Sequence, residues 1–176
     1  MIDSGNKVDF VPFQPGVDPR AVAICGDAIR FRPMTIADMD EIMAIERGSY
    51  RYPWSQGFFL QELQVACARS VLAEIDGRII GYVLYWLLPG TVDIHNLATH
   101  VDYRRRGVGR LLLSQVLGHA AAQAIDRVTL EVRKSNLPAQ KLYQSMGFVS
   151  TGLRKGYYSD DGEDALAMTL DLTAQR

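Results

Sequence analysis

Cysteine is scarce in this chain of 176 residues: only Cys25 and Cys67 occur. They form no C-x-x-C pair, and neither stands at zinc-like spacing from His95, His100 or His119. Neither a disulfide framework nor a metal site is expected, and a reducing cytoplasm is the simplest setting. Net charge is equally small, because 19 Lys and Arg face 20 Asp and Glu, leaving a formal −1. No global field therefore favours nucleic acid or an anionic membrane. Long apolar runs are missing as well. The longest, Ile79–Leu88, is broken by Gly81 and stopped by Pro89; it is too short to span a bilayer and suits a buried strand. Met1–Asn6 lacks the basic region and apolar stretch of a secretory leader. No internal repeat, heptad or low-complexity segment is present.

What the chain does contain is an ordinary globular balance, 48% hydrophobic and 22% charged, enough for one domain with a sizeable core. Residues 1–28 read as an extension punctuated by Pro12, Pro15 and Pro19, with a short strand at Ala21–Ile24. The domain proper spans 29–176. Ile29 and Phe31 alternate with Arg30 and Arg32 as in a half-buried strand. Thr35 and Asp38 resemble a capping box, followed by a mostly apolar helical face of Ile36, Met39, Ile42, Met43 and Glu46. Ser55 can cap a second helix with Phe59 and Leu63 on one side. Val71–Ile75 and Arg78–Trp86 flank Asp76-Gly77, a type I′ hairpin signal. A strand at Val92–Thr99, a helix from Gly107 to about Ala124 and a strand at Arg127–Arg133 follow. Asn136 then caps a short helix ending at Gly147, and two strands flank Asp161-Gly162. This order predicts a single α/β (α+β) domain, a central mixed and mostly antiparallel sheet with helices on both faces.

The chemistry-bearing segment is Arg104-Arg105-Arg106-Gly107-Val108-Gly109-Arg110, between a strand and a helix. A helix start exposes unpaired N–H groups and the positive end of the dipole. Glycines let that backbone bend around an anion, and the arginines add charge. A pyrophosphate fits this description; a solvated basic turn is the plainer alternative. The segment is neither a Rossmann G-x-G-x-x-G nor a P-loop.

Further motifs fall in order behind it. Arg104-x-x-Gly107-x-Gly109 is followed by Leu130-Glu131-Val132-Arg133, Ser135-Asn136, Leu142-Tyr143 and Gly147-Phe148. Tyr52-Pro53-Trp54-Ser55 lies upstream, and Gly156-Tyr157-Tyr158 and Asp161-Gly162-Glu163-Asp164-Ala165 close the series. This ordered set, over roughly residues 29–172, resembles the GNAT superfamily and within it the RimI-type ribosomal-protein alanine N-acetyltransferases.

The resemblance implies acetyl transfer from acetyl-CoA to the α-amine of a protein N-terminus, the expected acceptor being an N-terminal alanine of a small-subunit ribosomal protein, by a monomer or weak dimer without metal, nucleic acid or membrane. It implies that the backbone of Leu97, Ala98 and Thr99 pairs with the pantetheine arm. Arg105, Arg106, Gly107, Val108, Gly109 and Arg110 would hold the pyrophosphate, and Asn136 would contact CoA besides capping its helix. Glu131 would be the general base and Tyr143 the acid that protonates the leaving thiolate, twelve residues on. From the residues alone, Glu131 reads first as a solvated carboxylate paired with Arg133, and Tyr143 as core. Tyr52, Trp54, Tyr157 and Tyr158 would border the acceptor groove. The carboxylates of Asp160, Asp161, Glu163 and Asp164 could attract a basic peptide, or form a solvated turn. Thr99-His100-Val101 departs from the family's usual aliphatic residue and later proline. A broader N-terminal, lysine or small-amine acceptor, and a non-catalytic acyl-CoA-binding module, remain the alternatives.

Overall fold

The computed structural model describes residues 23–24 and 27–173. Most of the predicted extension, and Cys25, lie outside the described residues. Strands β1 (Ala23–Ile24) and β2 (Asp27–Ala28) pair antiparallel in a sheet of their own. The remaining elements follow the predicted order. They are β3 (Arg30–Arg32), α1 (Met39–Ser49), α2 (Gln56–Glu62), β4 (Ala68–Ile75), β5 (Arg78–Leu88) and β6 (Thr91–Thr99). After them come α3 (Val108–Ala122), β7 (Arg127–Arg133), α4 (Leu137–Ser145), β8 (Val149–Tyr158) and β9 (Glu163–Asp171).

Seven strands form one sheet in the order β3-β4-β5-β6-β7-β9-β8. Only β6 and β7 pair parallel; every other neighbouring pair is antiparallel. Period-two alternation sends successive residues to opposite faces. Val71, Ala73, Val83, Val92, Ile94, Val128, Leu130 and Val132 pack with Val108, Leu112, Leu113 and Val116 of α3 and with Tyr143 of α4. Leu72, Tyr82, Leu84 and Ala98 pack with Ile42, Met43 and Ile45 of α1 and with Phe59 of α2 on the other face. Gly81 marks the close approach of α3, since a Cβ there would stand 2.8 Å from the Ala98 carbonyl oxygen and 3.1 Å from Val108 and Leu112.

Local signals were mostly realised. Asp76 and Gly77 both take positive φ, 50° and 79°, as a type I′ turn requires. The Phe58 N–H donates to Ser55 Oγ at 3.4 Å, capping α2. Asp38 accepts the Thr35 N–H at 2.7 Å, but a 3-10 turn (Ile36–Asp38) precedes α1. That turn takes Ile36 off the helical face assigned to it, leaving it 72% exposed. No helix among the described residues is long and apolar enough to cross a membrane.

Candidate active site

Two irregularities of β6 build the site. Its pairing with β5 shifts between Leu84↔Asn96 and Tyr85↔Ile94, so His95 is an extra, bulged residue. A bulge bends its strand and raises the local twist. Beyond it β6 leaves β7, whose pairing ends at Ile94↔Leu130. The strands then splay apart, and a cleft of about 200 Å³ opens between them. Glu131, Val132 and Arg133 line it from β7, and His95, Asn96 and Leu97 from β6. Asn136, Ala139, Leu142 and Tyr143 line it from the α4 side; Glu46, Tyr50, Tyr52, Trp54, Tyr158 and Asp160 complete it.

The split also exposes backbone. The His100 N–H donates to the Ile80 carbonyl of β5 at 2.9 Å. By alternation Ala98 likewise turns its backbone to β5, so it does not join Leu97 and Thr99 in presenting backbone groups to the gap. Accordingly the Leu97 carbonyl accepts the Tyr50 hydroxyl at 2.6 Å, and the Thr99 carbonyl accepts Arg104 Nε at 3.3 Å.

Glu131 and Tyr143 arrive from opposite sides. Glu131 sits on the face of β7 away from Val128, Leu130 and Val132, half-buried, with Arg154 Nη2 at 3.0 Å from Oε1. Its partner is thus Arg154 of β8, not the Arg133 expected from sequence. Burial pushes its carboxyl pKa up and nearby Asp93 adds to this, while Arg154 opposes the rise. Tyr143 is 7% exposed on α4, beside Phe148. It belongs to the core, as a tyrosine beside Leu142 on an amphipathic helix suggests, and also lines the cleft. Burial holds its phenol well above the ordinary tyrosine pKa, so it stays protonated at neutral pH.

The arginine–glycine loop lies at the start of α3. Arg105 and Gly107 both take positive φ, 63° and 89°, and Gly107 is the residue that precedes the helix. Such alternation turns successive N–H groups inward, an anion-holding curve. Gly109 leaves no spare room, since a Cβ there would meet Leu142 Cδ2 at 3.1 Å. The arginines divide their work. Arg104 donates to the Gly48 carbonyl at 2.7 Å and to Ser49 Oγ at 3.1 Å, tying the loop to the end of α1. Arg110 donates to Ser145 Oγ at 2.6 Å, tying α3 to α4. Arg106 stacks over Tyr103, 5.4 Å from the ring centroid. Asn136 caps α4 by accepting the Ala139 N–H at 3.2 Å, and it also lines the cleft.

Of the four aromatic residues expected to border an acceptor groove, Tyr52, Trp54 and Tyr158 line the cleft, whereas Tyr157 does not. Tyr157 is 45% exposed on β8, its ring edge-on to Tyr158 at 5.2 Å. The acidic turn is not a free lure for a basic peptide. Asp160, Asp161 and Glu163 hold Arg133, and Asp164 accepts the Gly156 N–H at 3.0 Å.

The motifs point to neither Tyr50 nor Glu46, yet both line the site. Glu46 is 1% exposed, and its carboxylate accepts Trp54 N–H at 2.7 Å, Asn96 Nδ2 at 3.3 Å and the Tyr82 hydroxyl. Burial raises its pKa despite these three donors. Its signal was a charged residue at a core-facing helical position.

A mixed sheet split beside a glycine-capped helix, with a carboxylate and a phenol meeting in the split, defines a group-transfer enzyme of the acetyltransferase type. The family model described as Acetyltransferase (GNAT) family matches residues 39–148, and the chain belongs to this family. A Bacillus subtilis (strain 168) protein assigned provisionally as a [ribosomal protein bS18]-alanine N-acetyltransferase is 37% identical over 138 residues, 78% of this chain and 91% of its own. An N-alpha-acetyltransferase of Sulfurisphaera tokodaii is 32% identical over 84% of this chain and 95% of its own. Among solved structures, the Escherichia coli ribosomal-protein-S18-alanine N-acetyltransferase superposes with a TM-score of 0.75 at 28% identity. That match covers 81% of this chain and 93% of the other.

Proposed function

We propose that this enzyme transfers the acetyl group of acetyl-CoA to the α-amine of a protein N-terminus, with an N-terminal alanine of a small-subunit ribosomal protein as the preferred acceptor. The observation that carries the reading is the meeting of Glu131 and Tyr143 in one cleft from opposite faces of the sheet. The names of the relatives support the acceptor class.

The residues fit an acyl-CoA donor. The curled backbone at Arg105–Gly109 and the start of α3 suit the pyrophosphate. The open edge at Leu97 and Thr99 suits the amide-bearing arm, and its N–H groups can polarise the thioester carbonyl. Acceptor and donor then meet in the split, which holds the reacting atoms together.

In the reaction, Glu131 takes a proton from the ammonium through a water. The freed nitrogen pair forms the N–C bond, the C–S bond breaks, and Tyr143 delivers its phenolic proton to the departing sulfur; the second proton shed by the nitrogen as the amide forms restores the phenol, and Glu131 returns its own proton to solvent. The raised pKa of Glu131 brings it closer to the amine it must serve. That amine titrates at about 7.7–8.0, so roughly a tenth to a fifth is already free at pH 7; a lysine amine, at about 10.4, is free in fewer than about one molecule per thousand. An N-terminal acceptor therefore asks far less of one half-buried carboxylate. Alanyl peptides with a free or a blocked N-terminus test this by mass spectrometry. Only the free peptide is expected to gain an acetyl group; persistent acetylation of the blocked peptide would move the acceptor to a side chain.

A further inference from the structure

Arg133 ends β7 on the same face as Glu131, yet it contacts a different set of groups. Its Nη1 lies 2.9 Å from Asp161 Oδ1 and 3.0 Å from Glu163 Oε2, and its Nη2 lies 2.6 Å from Asp160 Oδ2. Glu163 in turn accepts the Ser135 N–H at 2.7 Å, and Gln140 Nε2 donates to the Arg133 carbonyl at 3.0 Å. The guanidinium is therefore fixed by the β8–β9 turn, while the backbone beneath it is fixed by α4. Its face is used as well. The central carbon stands 3.8 Å from the centroid of the Tyr158 ring and 5.5 Å from that of Tyr52.

Tyr52 belongs to the segment between α1 and α2, and Tyr158 to the end of β8. Both line the cleft, as do Arg133 and Asp160. We propose that Arg133 is a positioning residue for the acceptor, joining Tyr52 and Tyr158 into one rigid wall of the groove by cation–π contact and anchoring that wall to the acidic turn. The inference rests on reading this cleft as the acceptor site. Arg133 carries no proton chemistry, because a guanidinium held by three carboxylates stays charged. The catalytic carboxylate has its own partner in Arg154. Only a planar fork can face two rings and reach three carboxylates at once; a lysine keeps the charge and loses the geometry. The turn carboxylates thus fix a wall and do not themselves recognise a basic peptide.

Steady-state kinetics of the full chain with an N-terminal alanyl peptide, varying each substrate in turn, separates this from a merely structural role. Arg133→Lys is expected to raise the peptide KM about tenfold or more, with the acetyl-CoA KM and kcat changed by less than about threefold. Tyr52→Leu, at an exposed ring outside the core, tests the same wall without touching the turn. It should raise the peptide KM alone, and the double variant should lose less than the product of the two single effects. An unchanged peptide KM in both single variants, or a donor KM rising in step with it, overturns the inference. A wild-type chain that acetylates the blocked peptide as well as the free one overturns the acceptor reading and this inference together.

Discussion

Replacing Glu131 by glutamine removes a charge and a proton acceptor while keeping the shape of the side chain. A general base contributes about 10²–10⁴-fold to a rate. Part of that contribution must depend on pH in a way the structure specifies. With Glu131 present, the ammonium can bind and lose its proton inside the cleft, so the rate needs only an ionised carboxylate. That carboxyl lies above its ordinary value, driven by burial. The glutamine variant can use only amine that has already lost its proton to solvent. Below a pKa of about 7.7 that fraction falls tenfold per pH unit. The ratio of wild-type to Glu131→Gln kcat/KM on an alanyl peptide should therefore shrink about tenfold per unit between roughly pH 6 and 7.5, then level off. Thiol release measured continuously across this range, with the donor saturating, gives both profiles. Near-full turnover of the variant at about pH 6.5, or a ratio that does not change with pH, refutes Glu131 as the base.

Arg154 opposes the rise of the Glu131 carboxyl, so Arg154→Ala should push that pKa further up and move the acid limb of the wild-type pH profile to higher pH; an unmoved limb contradicts the pairing. For Tyr143→Phe, kcat should fall about 10²-fold while the peptide KM holds, measured by the same thiol assay. The Arg32 guanidinium holds the Asp38 carboxyl down at about 2, below its ordinary 3.8. A folded pKa below the unfolded one adds stability at neutral pH that is lost as pH falls from about 4 through about 2, worth about 2 kcal/mol. Asp38→Asn should therefore cost about that much in denaturant unfolding at pH 7 and almost nothing near pH 2. Gly107→Ala forces an L-residue to a φ of 89°. It should lower stability by about 1 kcal/mol and raise the acetyl-CoA KM, read by unfolding and kinetics respectively.

Local periodicity accounts for what could be read from the chain. Val128, Leu130 and Val132 alternate because one face of β7 is core, which places Glu131 on the other face without reference to the rest of the fold. Asp76-Gly77 and Gly147 announce their positive φ values by residue type alone. The misses share a different cause. The bulge at His95 leaves no mark in residue types, yet it is what turns β6 away from β7 and opens the cleft. Glu46 stood on a core-facing helical stripe, but its donors Trp54, Tyr82 and Asn96 come from three separate segments. Sequence proximity pairs Glu131 with Arg133, whereas the ion pair in the sheet is with Arg154 of β8. Ile36 fell off its helix because the first turn tightened to 3-10 geometry, a change that period counting cannot register.

An intramolecular competition sets the α-amine against a lysine amine in one molecule. An alanyl peptide carrying an internal lysine is incubated with the chain and acetyl-CoA, and fragment masses locate the added group. Acetylation is expected at the α-amine with the lysine untouched, and is expected to be lost in Glu131→Gln at about pH 6.5. Acetyl on the lysine with a free N-terminus would contradict the α-amine as acceptor.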